Sequence, residues 1–397
     1  MASLQNRGNH KQHRALGNAK PAIRPGLQNA TNKILLAGPE KKIATNLQKK
    51  PKLQNENEAK SKQPAQSRLP TLSSLRQNIT LEKRQKMLQD VVRTGGKEHG
   101  FMTYKERPED VPDIYAEHVG NEALVVAYVE HIYTYLYHRE RYSLLAKDFM
   151  DGMSVNPRMR TILVDWIVSV MHKFKQGQDT LFLTLNIVDR FLSIPEIDVT
   201  KDELQLIGVT AMFIAGKFEE VYPPEVGDYV YISDEACSRK QILDCEMMMV
   251  NALNFDFTRP LPVHFLHRVC KAAHAKPDEY CLAKFFMELA LMHIEFVEVK
   301  PSLVAAAAVY LAVLFRRRSH DFWDSKLAYY SNYEEGEVKQ MAFKMVDVLK
   351  QARTAKWQCI IKKYDTPKNF GASKITDLEL DEVAKHFGRS LEDLDVH

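Results

Sequence analysis

The stretch NPRMRTILVDWIVSVMHKF, residues 156–174, carries the clearest helical pattern in the chain. Asn156 can cap free backbone amides, and Pro157 is tolerated at the first helical position. The apolar residues that follow recur every three or four positions, which keeps one broad face apolar. They are Met159, Ile162, Leu163, Trp166, Ile167, Val170, Met171 and Phe174. Such a stripe lies in a core by default, but its first turn could remain open as a groove for a short peptide.

Further helical patterns lie on both sides of this stretch. The segment at residues 205–215 overlays the segment at residues 302–312, which suggests two successive helical bundles of about 100 residues each. An amphipathic helix over residues 122–141 precedes them. Convincing alternating strands are absent from the sequence, so the predicted fold class is all-α. The other predicted helices cover residues 180–192, 202–218, 238–253, 262–273, 279–292, 302–315 and 338–354.

The composition changes sharply at residue 100 of the 397. Residues 1–100 hold 20 Lys/Arg and 6 Asp/Glu, whereas residues 101–397 hold 35 and 45 together with every aromatic residue and cysteine. A basic stretch without aromatic side chains is unlikely to bury enough apolar area to fold alone. We therefore predict a disordered basic tail and an acidic globular body. No uncharged apolar run reaches the roughly 18 residues of a membrane span, so we expect no membrane contact.

Signatures of catalysis or cofactor binding are missing from the sequence. It contains no GxxxxGK[ST], no GxGxxG after a strand, no HExxH and no GxSxG. The five cysteines are odd in number and lack CxxC spacing, which is typical of a reducing compartment and disfavours zinc. The sequence thus predicts no cofactor, no metal and no enzymatic activity.

Two charged residues stand out beside apolar runs. Lys217 follows a long apolar run near the end of the helix at 202–218; it either snorkels or donates to backbone carbonyls of a partner. Glu246 precedes three methionines and either forms an internal ion pair or accepts from a partner's amides. Arg160 and Asp165, inside the apolar stripe, are expected to satisfy one another or other bundle residues.

Four motifs in order resemble the cyclin box of a mitotic, B-type cyclin. They are MRTILVDW at 159–166, DRFLS at 189–193, KFEEVYPPE at 217–225, and LNF followed by RPLP within 253–262. The resemblance implies two successive five-helix cyclin-box folds. It divides the chain into a disordered regulatory tail (1–103), the N-terminal helix with the first cyclin box (104–258), the second cyclin fold (259–365) and a C-terminal extension (366–397).

The resemblance implies a non-catalytic subunit that activates a mitotic cyclin-dependent kinase by holding its regulatory helix and activation segment in the active arrangement. Lys217 and Glu246 match the pair that clamps the kinase helix, and Arg160, Asp189 and Leu206 match structural positions of the box. Other positions match the apolar socket of that interface. They are Ile132, Tyr135, Ile214, Phe218, Phe255 and Phe257.

A second surface is implied on the same body. Six residues match the docking groove for protein substrates with Arg-x-Leu motifs, while Ser169 stands where other cyclins place an acidic residue beside that groove. The six are Met159, Ile162, Leu163, Trp166, Leu204 and Gln205.

The tail carries a candidate degradation signal. Arg24, Leu27 and Asn32 fit the RxxLxxxxN destruction box by which such cyclins are presented to the anaphase-promoting ubiquitin ligase. A basic run at residues 49–52 is either a weak nuclear signal or a solvated charge run, and the expected location is cytoplasm and nucleus, depending on the cell cycle. The alternative function is a cyclin-fold transcription factor or adaptor that binds nucleic acid. It would need a basic face, whereas the body is acidic and no nucleic acid is expected to bind.

Overall fold

The computed structural model describes residues 106–121, 124–319 and 321–388. Within these residues the chain forms thirteen α-helices and no strand, which confirms the all-α prediction. None of the described helices is long and apolar enough to cross a membrane. The predicted tail at 1–103, with its destruction box, lies outside the described residues.

The first five-helix fold surrounds one central helix, α4 (Lys201–Glu219), and follows a leading helix, α1 (Val129–Glu140). The helix α4 is buried at every residue from 207 to 216 and contacts the other four helices of the fold. The helices are α1 (Val129–Glu140), α2 (Pro157–Phe174), α3 (Gln178–Leu192), α4 (Lys201–Glu219), α5 (Val226–Ile232) and α6 (Arg239–Ala252).

The second fold repeats this plan. Its third helix, α9 (Pro301–Arg317), is buried at every residue from 304 to 315, and its fourth helix has seven residues, as α5 does. The segments at 205–215 and 302–312 therefore lie in the two equivalent central helices, as the sequence predicted. The helices are α7 (Pro262–Ala272), α8 (Pro277–Ala290), α9 (Pro301–Arg317), α10 (Ser325–Ser331) and α11 (Glu335–Thr354), followed by α12 (Cys359–Tyr364) and α13 (Asp377–His386).

The start of α2 is the one that the sequence predicts. The Asn156 side chain accepts a hydrogen bond from the Met159 amide at 3.1 Å, and Pro157 occupies the first helical position. This satisfies a backbone donor that has no partner within the helix. The cap therefore fixes where the apolar stripe of α2 begins.

The structure departs from the prediction at the leading helix and at the short helices. The helix predicted over 122–141 begins only at Val129, because Val125 adopts a left-handed φ of 43° and a 3-10 turn follows it. Four helices, α5, α10, α12 and α13, were not predicted, and none is longer than ten residues. Segments of one or two turns carry too few apolar repeats to show a helical period.

The leading helix α1 packs on the second fold. Its Tyr137 hydroxyl donates to the Ser331 carbonyl at 3.0 Å. Its Glu140 carboxylate is buried and accepts from the Ser302 amide at 3.1 Å and the Ser302 hydroxyl at 2.7 Å, in the first turn of α9. Burial raises the pKa of Glu140. The second fold thus fixes the position of a helix that precedes the first.

Helices α2 and α4 approach each other closely at Gly208. A Cβ at this position would lie 2.7 Å from Cδ1 of Leu163, and Leu163 is fully buried. Real Cβ atoms essentially never approach that closely, and a close-packed core has little space to receive the displaced side chain. The glycine therefore permits the observed helix spacing.

We predict that Gly208→Ala lowers the free energy of unfolding by about 1–3 kcal/mol through overpacking. Urea unfolding followed by circular dichroism measures this change. The control is Gly227→Ala in α5, where a Cβ meets nothing within 4 Å; it should leave stability unchanged or raise it by up to about 1 kcal/mol. Equal responses of the two variants would contradict the close approach.

Candidate functional site

Lys217 and Glu246 form an ion pair at the surface of the first fold. Lys217 lies in the last turn of α4 and donates from Nζ to Oε1 of Glu246 in α6; its ammonium also lies 4.2 Å from the centroid of the Phe213 ring. The Lys217 side chain remains 44% exposed and that of Glu246 remains 18% exposed. An ammonium has three donors and a carboxylate has two acceptor oxygens, so this single contact leaves further hydrogen-bonding capacity toward solvent.

Large apolar side chains stand exposed on the elements around this pair: Phe218 follows Lys217, Phe255 follows α6, and the Arg139–Asp256 ion pair joins α1 to that turn. Phe218 and Phe255 are 49% and 70% exposed, and Ile132 and Tyr135 on α1 are both more than 40% exposed. A concentration of exposed aromatic and aliphatic side chains is typical of an interaction surface. We call the surface formed by Lys217, Glu246, Phe218, Phe255, Ile132 and Tyr135 the Lys217–Glu246 surface.

The other two predicted socket residues are buried under this surface. Ile214 and Phe257 belong to the core, and the Phe257 ring supports the exposed Phe218 ring edge-to-face, with centroids 6.0 Å apart. They cannot present their full side chains to a partner. Phe257 thereby holds the Phe218 ring in place.

Phe255 lies in a tight turn directly after α6. Asn254 and Phe255 adopt consecutive left-handed conformations, with φ of 52° and 56°, and the Phe255 amide donates to the Val250 carbonyl at 3.0 Å. A bulky residue in this region costs roughly 1–2 kcal/mol. Backbone strain of this kind is found where function needs a side chain in a fixed position.

Arg160 and Asp189 form a buried, bidentate ion pair between α2 and α3. Nε and Nη2 of Arg160 each lie 2.7 Å from an oxygen of Asp189, and Nη1 donates to the Leu291 carbonyl at 2.8 Å. Asp165 does not pair with Arg160; it accepts from the Cys359 amide at 2.9 Å. Arg160 and Asp165 were expected to pair with one another or with other bundle residues, and the second expectation is therefore correct.

The candidate docking groove is only partly open. Met159, Ile162 and Gln205 are half-buried, whereas Leu163, Trp166 and Leu204 belong to the core. Leu206, a predicted structural position, is also half-buried. The first turn of α2 is thus accessible, while the rest of the stripe packs inward.

The described residues contain no group of three or more His, Cys, Asp or Glu side chains arranged to hold a metal ion. None of the five thiols forms a disulfide, and burial raises the pKa of Cys237 to about 11 and that of Cys359 to about 12. A thiol with such a pKa is protonated near neutral pH and is a poor nucleophile. These cysteines act as packing residues.

Sequence reasoning missed three exposed apolar residues close to the predicted set. Met247 follows Glu246 on α6, and Val221 and Tyr222 follow the end of α4; all three are more than 60% exposed. Val221 and Tyr222 directly precede two prolines, in the segment that follows the end of α4 at Glu219. Two apolar residues just after the end of a helix were the sequence feature that could have predicted this exposure.

Comparisons with known proteins agree with the resemblance. The family profile "Cyclin, N-terminal domain" matches residues 131–258, and "Cyclin, C-terminal domain" matches residues 260–378. The G2/mitotic-specific cyclin-B of Marthasterias glacialis is 41% identical over 270 residues, which cover 68% of this chain and 69% of that protein. The G2/mitotic-specific cyclin-B of Hydra vulgaris is 41% identical over 271 residues, covering 68% and 74%.

Two further matches are another cyclin-B and a viral cyclin. The G2/mitotic-specific cyclin-B of Patella vulgata is 39% identical over 269 residues, and the chain spans 65% of its length. A solved structure of a viral cyclin from herpesvirus saimiri aligns with a TM-score of 0.47 at 23% identity, over 54% of this chain and 96% of that chain.

We predict that Phe255→Asn does not lower the free energy of unfolding and raises it by up to about 1 kcal/mol, because asparagine tolerates the left-handed conformation. Denaturant unfolding measures the effect. Tyr222→Asn, at a more exposed aromatic residue outside the left-handed region, should leave stability unchanged. If Phe255→Asn lowered the free energy of unfolding by several kcal/mol, the Phe255 ring would be part of the core.

Proposed function

Because the chain belongs to the cyclin family, and within it to the G2/mitotic B-type cyclins, we propose that it is a regulatory subunit that binds and activates a cyclin-dependent kinase at the G2-to-mitosis transition. The observation that carries the proposal is the Lys217–Glu246 surface, where an ion pair lies among exposed apolar side chains. In this role the chain is non-catalytic, and the kinase supplies the reacting groups.

The geometry supports a clamp on a helix of the kinase. The remaining donors of Lys217 suit backbone carbonyls at the end of a docked helix, and the remaining acceptor of Glu246 suits backbone amides or hydroxyls. The exposed rings of Phe218 and Phe255 would bury the apolar face of the same helix. Such contacts shift the kinase toward its active state only as far as they favour that state over the inactive one.

The surface is held in place before any partner arrives. Helix α1 is fixed by buried hydrogen bonds to the second fold, and Phe218 rests on Phe257. A pre-organised surface loses little conformational freedom on binding. We therefore assign the second fold the role of positioning Ile132 and Tyr135.

Substrate selection is proposed for the first turn of α2. Met159 and Ile162 of α2 and Gln205 of α4, a helix that packs against α2, are only half-buried. An apolar rim with an amide side chain suits a short extended peptide that places a leucine against the apolar side chains. Proteins with Arg-x-Leu motifs are the proposed ligands.

The tail is proposed to time the removal of the protein. Arg24, Leu27 and Asn32 would be recognised by the anaphase-promoting ubiquitin ligase at mitotic exit, with the protein in cytoplasm and nucleus according to the cell cycle. A stretch rich in polar residues suits this role, since an extended segment can enter a recognition groove.

Reversing the ion pair tests the kinase-binding surface. We expect Lys217→Glu combined with Glu246→Lys to weaken kinase binding at least about a hundredfold and to abolish histone-kinase activity. Each new charge would then repel the kinase group that the original side chain attracted. The exchange preserves an internal ion pair, so the helical circular dichroism should persist. Pull-down and kinase assays measure the two effects.

A matched exchange on the second fold provides the control. Arg318 and Glu382 form an exposed pair at 3.4 Å, and Arg318→Glu with Glu382→Arg should leave kinase activation intact. Retained activity of the Lys217/Glu246 exchange would disprove the assigned surface.

A separate prediction concerns the tail. Arg24→Ala with Leu27→Ala, or deletion of residues 1–100, should leave kinase activation unchanged and prolong the lifetime of the protein through mitotic exit. Immunoblotting of synchronised cells after translation arrest measures that lifetime. Equal decay of variant and parent would refute the destruction box.

A further inference from the structure

Three arginines from distant parts of the sequence meet at one aspartate beside the Lys217–Glu246 surface. Nη2 of Arg139 lies 3.3 Å from Oδ1 of Asp256, and Nη2 of Arg259 lies 2.9 Å from Oδ2. Nη1 of Arg190 donates to the Asp256 backbone carbonyl at 2.6 Å. The cluster therefore contains three guanidinium groups and a single carboxylate, which leaves two positive charges in excess.

The excess charge is partly withdrawn from water. The side chains of Arg139 and Arg259 are 29% and 18% exposed, and the Nε donor of each is buried without a hydrogen-bond partner. A buried donor without an acceptor carries a desolvation penalty, and arginine does not lose its proton to escape it. Burial and the neighbouring Arg259 lower the pKa of Arg190 to about 10.

Structural support explains only part of this arrangement. Arg190 holds the loop through the Asp256 carbonyl, and Nη1 of Arg259 holds the Tyr142 carbonyl at 2.6 Å. Neutral donors could make these contacts without mutual repulsion. The concentration of positive charge in guanidinium groups that remain partly exposed is what an incoming anion would balance.

The position of the cluster indicates where such an anion would come from. Asp256 follows the exposed Phe255 directly, and Arg139 lies one helical turn beyond Tyr135 on α1. We propose that Arg139, Arg190 and Arg259 form an oxyanion site that receives a phosphoryl or carboxylate group of the kinase bound at the Lys217–Glu246 surface. Guanidinium groups bind both oxyanions through paired hydrogen bonds. This inference rests on the proposed function and adds a specific charged contact to it.

The first experiment needs no kinase. In the full chain, inorganic phosphate at constant ionic strength should raise the midpoint of thermal unfolding in a saturable manner relative to chloride. Arg139→Gln with Arg259→Gln should lose this response, while Arg141→Gln, at an exposed arginine on the same helix end, should keep it. An equal phosphate response in all three proteins, or none in the parent, would overturn the site.

The second experiment measures kinase affinity. Arg139→Gln with Arg259→Gln should bind the kinase about tenfold more weakly, with a smaller dependence on salt concentration than the parent shows. Treating the kinase with phosphatase distinguishes the two sources. If the parent binds the treated kinase only as tightly as the variant does, the anion is a phosphoryl group. If the parent still binds the treated kinase more tightly than the variant does, the anion is a carboxylate. Equal affinity of parent and variant for the untreated kinase would overturn the inference.

The two proposals fail in different ways. The exchange of Lys217 and Glu246 should leave the phosphate response intact, because neither residue belongs to the arginine cluster. If the parent binds phosphate but no kinase, the proposed function fails while the oxyanion site stands. If it binds the kinase and ignores phosphate, only the oxyanion site fails.

Discussion

The buried pair of Arg160 and Asp189 is the constraint on which the relation between the two folds depends. One guanidinium joins α2 to α3 through two hydrogen bonds and reaches the Leu291 carbonyl in the second fold. A buried charge without complete partners is costly, and removing one partner of such a pair typically costs about 3–5 kcal/mol. The neighbouring Thr161 hydroxyl donates to the Met292 carbonyl at 2.9 Å. The first turns of α2 are therefore fastened to the second fold by polar contacts that require one particular geometry.

A second buried carboxylate, about one helical turn before Leu291 on α8, also joins the two folds. Glu288 of α8 is fully buried and accepts from Lys363 at 2.7 Å, from Tyr364 at 2.8 Å and from Gln178 of the first fold at 3.0 Å. Apolar packing alone would tolerate small displacements of one helical bundle relative to the other. Hydrogen bonds between buried charged groups do not tolerate such displacements, because their geometry is specific. This matters for function because the Lys217–Glu246 surface is composite. Its ion pair belongs to the first fold, while Ile132 and Tyr135 sit on a helix that the second fold holds.

The sequence predicted the long helices because their apolar residues repeat over several turns, and α2 and α9 follow that pattern closely. It also predicted Lys217 and Glu246 as surface residues of interest, although it left open whether they meet, since they lie on different helices. The sequence did not predict the short helices, the late start of α1 or the packing of α1 on the second fold. Those features depend on side chains far apart in the sequence, such as Glu140 and Ser302, for which no local pattern exists. The arginine cluster around Asp256 is hidden for the same reason.

The distribution of charge gives the final link between fold and function. The body is acidic as a whole, yet beside Phe255 it gathers three guanidinium groups around one carboxylate. The turn that exposes Phe255 is strained, and Asp256, the next residue, is the point at which the arginines hold that turn. Positive charge and exposed apolar area are thus concentrated in one small region. The repulsion between the arginines and the exposure of the apolar side chains to water both lower the stability of the free chain. A partner that covers the apolar side chains and supplies an anion would relieve both costs at once, so the same features that destabilise the isolated protein favour its complex.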